Sequence, residues 1–143
     1  MDIVALTEAQ KLLLEELDKL LDKEKDVLIN DRCEELQAII DAKSEISQKL
    51  SIVETKRQEL YPGVKAESFV KEGILNEETV KDLKALAISV KEKSDVNMAL
   101  TRQSLNYIRA ITSALDTRHK TLTYGNTGKL GDDSSASLFS QKI

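Results

Sequence analysis

The chain has 143 residues, with 21 basic and 25 acidic side chains, a net charge of −4, two Phe, three Tyr and no Trp. Strands favour aromatic and β-branched residues, so this composition argues against a β-sandwich or an aromatic-rich barrel, and one Pro with five Gly argues against a turn-rich fold. A nucleic-acid binder carries a basic stripe and a membrane span needs about 18 apolar residues in a row; neither is present, and the remaining composition is that of long helices.

Taken in chain order, Thr7-Glu8-Ala9-Gln10 has the pattern of a capping box, which predicts a first helix over about 8–29. Leu13, Leu14, Leu17, Leu20, Leu21 and Leu28 then recur at spacings of three, four and seven, on one face. Asn30-Asp31 favours a bend or short turn, with Asp31 as the N-cap of a second helix over 32–60; one continuous rod over 8–60 is the open alternative. Leu36, Ile39, Ile46, Leu50, Val53 and Leu60, with Lys43 and Arg57 in register, form a heptad seam. Lys43 and Arg57 are expected to lay their methylenes on it and lift their charges to water. Tyr61-Pro62-Gly63 ends this helix. Residues 61–76 form a connector in which Ala66 to Glu72 can make a short helical turn ended by Gly73, with Phe69 and Val70 packed down. Asn76 reads as the N-cap of a third helix over 77–119, with Glu77 and Glu78 favourable to its dipole.

A third helix of that length would run about 65 Å at 1.5 Å per residue, longer than a sphere of this mass. The expected fold is therefore all-α: an elongated antiparallel bundle, or coiled-coil hairpin, of three main helices over residues 1–122. The tail from 123 to 143 holds Gly125, Gly128, Gly131 and Asp132-Asp133-Ser134-Ser135, and is expected to be disordered on its own. It nevertheless carries Leu138, Phe139 and Ile143.

Candidates for catalysis are few. His119 stands one turn from Asp116, but a helical di-metal site needs two Glu-x-x-His units and further carboxylates, so His119 reads as a last-turn residue favourable to the helix dipole. Cys33, the single cysteine, cannot form an internal disulfide; it has no base nearby in sequence and reads as a small buried hydrophobe. Gly125-Asn126-Thr127-Gly128-Lys129 fails the Walker pattern, because Thr123 and Leu130 stand where Gly and Ser or Thr are required. No catalytic residue, metal or cofactor is expected. Met1-Asp2-Ile3-Val4 lacks the basic start of a signal peptide, which predicts a cytoplasmic protein.

The third helix carries the functional signal. Val80, Leu83, Leu86, Ala87 and Val90 cover an arc of roughly 120°, normal for packing on one side, whereas Met98, Leu100, Thr101, Ser104, Leu105, Tyr107, Ile108, Ile111 and Leu115 spread over roughly 180°. Two readings follow from periodicity. The first two helices, or a second copy in a homodimer, cover the wider face; or the face takes another protein's helix, through anchors three, four and seven residues apart. Asn97, Thr101 and Ser104 are either tolerated in a core or set the register of such a partner.

The run Asn97-Met98-Ala99-Leu100-Thr101-Arg102-Gln103-Ser104-Leu105-Asn106-Tyr107-Ile108, followed by Thr123-Tyr124-Gly125-Asn126-Thr127-Gly128, resembles the C-terminal signature of the FlgN family of flagellar type III export chaperones. The resemblance extends from residue 8 to about 130, through the Leu-rich first helix, Asp31 at a turn and Lys43 in the second helix. It implies a cytoplasmic helical protein without enzymatic activity that binds the C-terminal helical segment of hook-associated proteins, which form the hook–filament junction, and delivers them to the export gate. Within that implication, Asn97, Leu100, Ser104, Tyr107, Ile108, Ile111 and Leu115 are the candidate partner-binding residues. Tyr124 is the candidate for docking to the export gate, with Tyr107 as its rival. A generic coiled-coil adaptor that self-associates is the alternative.

Overall fold

The computed structural model describes residues 2–122, with side chains as far as residue 117. Among the described residues every regular element is helical: α1 (Ile3–Ile29), a 3-10 turn at Cys33–Glu35 leading into α2 (Leu36–Leu60), a short α3 (Ala66–Lys71) and α4 (Glu77–Leu122). The chain divides into two compact units, Met1–Asn97 and Met98–Ile143, so α4 contributes its first 21 residues to one and the rest to the other. The expected division at 122/123 falls at the end of the described residues, and the tail it sets apart lies outside them.

Three predicted boundaries hold for the predicted reasons. Pro62 and Gly63 follow the last turn of α2, with Gly63 at φ +72, the left-handed conformation a Pro-Gly turn needs at its third position. Gly73, at φ +74, ends α3: its N–H donates to the Val70 carbonyl and the Ile74 N–H to the Phe69 carbonyl, the paired bonds of a Schellman motif. Asn76 caps α4, its Oδ1 accepting from the Glu78 N–H at 2.9 Å.

Four expectations are corrected. Helix α1 starts at Ile3 rather than near residue 8, because Asp2 is the N-cap and accepts from the Ala5 N–H at 2.8 Å. Thr7 is buried inside the first turns, and its hydroxyl donates to the Ile3 carbonyl at 2.7 Å. Asp31 closes α1 and does not open α2. It adopts φ +52, and the Arg32 N–H reaches the Val27 carbonyl at 3.0 Å, the reach of a Schellman cap. Cys33, in the 3-10 turn that follows, is exposed and not a buried hydrophobe.

In the first unit, α1 and α2 run antiparallel, as the Gln10–Glu54 and Glu24–Lys43 hydrogen bonds show. The first part of α4 runs parallel to α1 at a nearly constant offset: Lys11 pairs with Asp82, Asp18 with Ser89 and Lys93, and Asp22 with Lys93. The three helices thus alternate in direction, up, down and up. Leu6, Leu21 and Val27 of α1 are the fully buried large side chains. At one end, Ile3, Phe69, Leu75 and Val80 form a cluster, and the Tyr61 ring meets the Phe69 ring edge-on at 5.3 Å.

Polar groups fix the register of this packing. Glu24 is buried on α1, accepting from Lys43 Nζ of α2 at 2.8 Å and from Asn97 Nδ2 of α4 at 2.8 Å. Asn97 Nδ2 also donates to the Leu21 carbonyl at 2.9 Å. Lys43 therefore ends on a buried carboxylate rather than in water. A buried trio bonded in this way resists slip of one helix past another, since a shifted register would strand the Glu24 carboxylate and the donors it now accepts from. Asn97→Ala is expected to cost about 1–3 kcal/mol, read as a lowered urea midpoint, because Glu24 and the Leu21 carbonyl lose a buried donor.

Candidate functional site

The sequence-derived site falls on α4, and the structure separates its members. Asn97 is 3% exposed, and its amide is engaged with α1 within the first unit. It orders the chain's own core, so its amide donors are not offered to a partner. The other six candidates lie in the second unit. There Met98, Tyr107, Ile111 and Leu115 are 51%, 68%, 42% and 59% exposed, and Leu100, Ser104 and Ile108 are half-buried. At 100° per residue, Leu100, Ser104, Ile108, Ile111 and Leu115 share one face, with Tyr107 on one edge and Met98 on the other. The arrangement offers several large apolar side chains along about five helical turns, anchors of the kind used in helix-on-helix recognition. Tyr124 lies outside the described residues, as does the side chain of His119.

Sequence reasoning missed Glu24. An acid three residues beyond Leu21 and four beyond Leu20 lies within an otherwise apolar face, and that placement is the signal that a partner exists; its identity, 19 and 73 residues away, is not local information.

The remaining polar clusters of the first unit are structural. A cleft of about 380 Å³ is lined in part by Ile3, Gln10, Glu54, Arg57 and Phe69. Its polar residues satisfy one another: Arg57 Nε and Nη2 donate to the two Glu54 oxygens at 2.9 and 2.6 Å, and Gln10 donates to Glu54 at 3.1 Å. These bonds, with Arg57 contributing most, hold the Glu54 carboxyl down to about 2. Asp18 is also held below the usual carboxylate range. Burial alone would raise it, but hydrogen bonds from Ser89 and Lys93 and the Lys93 charge outweigh that. Among the described residues no group of three or more His, Cys, Asp or Glu is arranged to hold a metal ion, and no helix is long and apolar enough to cross a membrane.

A depressed folded-state value means that Glu54 stabilises the fold above its unfolded value near 4.5, and that this contribution fades as pH falls towards about 2. Its side chain is 44% exposed, so the effect is screened to about 1 kcal/mol or less. The urea midpoint is expected to fall between about pH 5 and about pH 3, and to fall less in Glu54→Gln. An equal fall in both proteins would show that the Glu54–Arg57 pair has no part in it.

The family model described as FlgN protein matches residues 1–131, nearly the whole chain and all of the helical region. The chain belongs to the FlgN family. No curated protein and no solved structure matches it. FlgN proteins are flagellar export chaperones, a chaperone family and not an enzyme family. The match covers the first unit and most of the second, past Tyr124 to residue 131, so the FlgN resemblance carried by residues 97–108 and 123–128 belongs to a match over most of the chain.

Proposed function

We propose that this FlgN-family chain is a cytoplasmic export chaperone that captures the C-terminal helical segment of a flagellar hook-associated protein on residues 100–115 of α4, keeps it from assembling prematurely, and brings it to the export gate through Tyr124. One observation carries the reading: Met98, Tyr107, Ile111 and Leu115 stay exposed along one stretch of a single helix that also carries the half-buried Leu100 and Ile108, whereas the other large exposed apolar residues are spread over α1, α2, the connector and the earlier part of α4. A subunit destined for a polymer carries a terminal helix that seeks a coiled-coil neighbour and would aggregate before assembly. A matching apolar face that buries about 800 Å² per partner shields that helix. Moderate affinity keeps hand-over fast.

Mixing the full chain with the C-terminal segment of a hook-associated protein is expected to give a 1:1 complex on size exclusion, and no complex would refute the reading. Tyr124→Ala is expected to keep that complex and lose binding to the export-gate component. Loss of the complex itself would move Tyr124 to the capture face. Concentration-dependent self-association without any complex would favour the coiled-coil adaptor.

A further inference from the structure

The apolar face of the second unit has an edge of defined charge. The whole chain is net −4, yet between Met98 and Leu122 the sequence carries Arg102, Arg109, Arg118 and Lys120 against one acid, Asp116. The preceding stretch of the same helix, 77–97, is nearly balanced: Glu77, Glu78, Asp82, Glu92 and Asp95 stand against Lys81, Lys84, Lys91 and Lys93. α4 thus turns from nearly charge-balanced to net basic at the start of the second unit.

Arg102 and Arg109 are one heptad apart and exposed. At 100° per residue both lie about 100–120° from Ile108, just beyond Leu105 and Met98 on the edge opposite Tyr107. The Arg102 guanidinium lies against that edge, with Nη2 3.3 Å from the Met98 sulfur. Asp116 continues the row one heptad further on, with the opposite sign. Charges that flank an apolar seam at heptad spacing choose partner and register between paired helices.

We infer that the occupant of this face is an amphipathic helix bearing acidic side chains at heptad spacing along one edge of its apolar stripe, opposite Arg102 and Arg109. The inference rests on the capture of a helix by residues 100–115 and adds the chemistry that selects it. Acids on the guest helix pair with the two arginines, while a guest with lysines there meets like charge. Long-range attraction to the basic segment also speeds encounter at low salt.

The test uses the full chain and two synthetic helical peptides with the same Leu/Ile stripe and matched helicity, one with Glu and one with Lys at the two flanking heptad positions. Calorimetry at low salt is expected to show the Glu peptide binding about tenfold more tightly, with the preference shrinking as salt screens it. Arg102→Glu combined with Arg109→Glu is expected to reverse the order. Equal affinities would overturn the charge inference and leave helix capture standing; no binding of either peptide would overturn both. A peptide of residues 130–143, which holds Asp132, Asp133, Leu138 and Phe139, serves as a competitor. If it bound more tightly than the Glu helix, the face would belong to the chain's own C-terminal segment. A peptide-free dimer dispersed by Ile108→Asp would assign the face to a second copy; either result overturns the proposal.

Discussion

Replacing both Ile108 and Ile111 by Asp is expected to abolish capture of the junction-protein helix and to leave the urea midpoint of the first unit unchanged. Ile108 is half-buried and Ile111 exposed, and both lie at the centre of the face that runs from Leu100 to Leu115. Covering an aliphatic side chain of this size with a partner contributes about 1.5–3 kcal/mol, so two such losses reduce affinity by about 100-fold or more. Two carboxylates add to this, since each would have to be desolvated against an apolar partner. Asp also has poor helix propensity, so lost binding in this variant would equally fit a frayed helix. The pair Ile108→Ala and Ile111→Ala settles the matter, because Ala raises helix propensity while removing the same apolar contacts. Circular dichroism is expected to show equal or greater helicity for the alanine pair, with affinity still strongly reduced in calorimetry. Full affinity in the alanine pair would place the capture face elsewhere.

Helix ends written in backbone chemistry were legible from the sequence. Pro62 with Gly63, Gly73 and Asn76 each act through a constraint that needs no distant partner: a fixed φ, a positive φ, or a side chain that accepts from the next turn. The start of α1 was misread for a related reason. Thr7-Glu8-Ala9-Gln10 satisfies the full capping-box pattern, whereas Asp2, with Ala5 three residues on, offers only a lone N-cap side chain; what decides for Asp2 is that Ile3 is buried against Phe69, Leu75 and Val80, more than sixty residues away. Asp31 was ambiguous because aspartate serves both as an N-cap and, less often, in the left-handed position after a helix.

The same distinction divides the candidate site. The apolar periodicity of residues 98–115 is a property of one helix and could be read from the string. The role of Asn97 is not, because it depends on Leu21 and Glu24 of another helix. Two polar residues about two helical turns apart, Asn97 and Ser104, look equivalent on the wheel, yet Asn97 is buried against α1 and Ser104 belongs to the unit that carries the exposed anchors. Asn97 is thus the last residue of α4 that belongs to the first unit, and its neighbours within that unit, not its place on the wheel, set its role.

Leu21→Ala is expected to give the largest loss of stability, about 3 kcal/mol, with partner affinity unchanged wherever the chain remains folded. Leu21 is 1% exposed at the middle of α1, on the same turn as Glu24 and beneath the Asn97 amide that its own carbonyl accepts. Truncation removes the transfer free energy of three carbons and leaves a cavity that rigid helices on either side fill poorly, the condition under which Leu→Ala changes cost 2–5 kcal/mol. Against a total stability of roughly 5–15 kcal/mol the loss is large, and it is expected as a lowered urea midpoint at unchanged slope. Leu12→Ala on the same helix provides the contrast: Leu12 is 60% exposed and the change is expected to stay within about 0.5 kcal/mol. A loss under about 1 kcal/mol for Leu21→Ala would mean that the core rearranges around the gap, and the tight register set by Glu24 and Asn97 would then need another explanation. If the expected pattern holds, exposed leucines such as Leu115 should weaken capture without touching stability, while Leu21 does the reverse, so that folding and recognition are carried by separate sets of apolar side chains in one short chain.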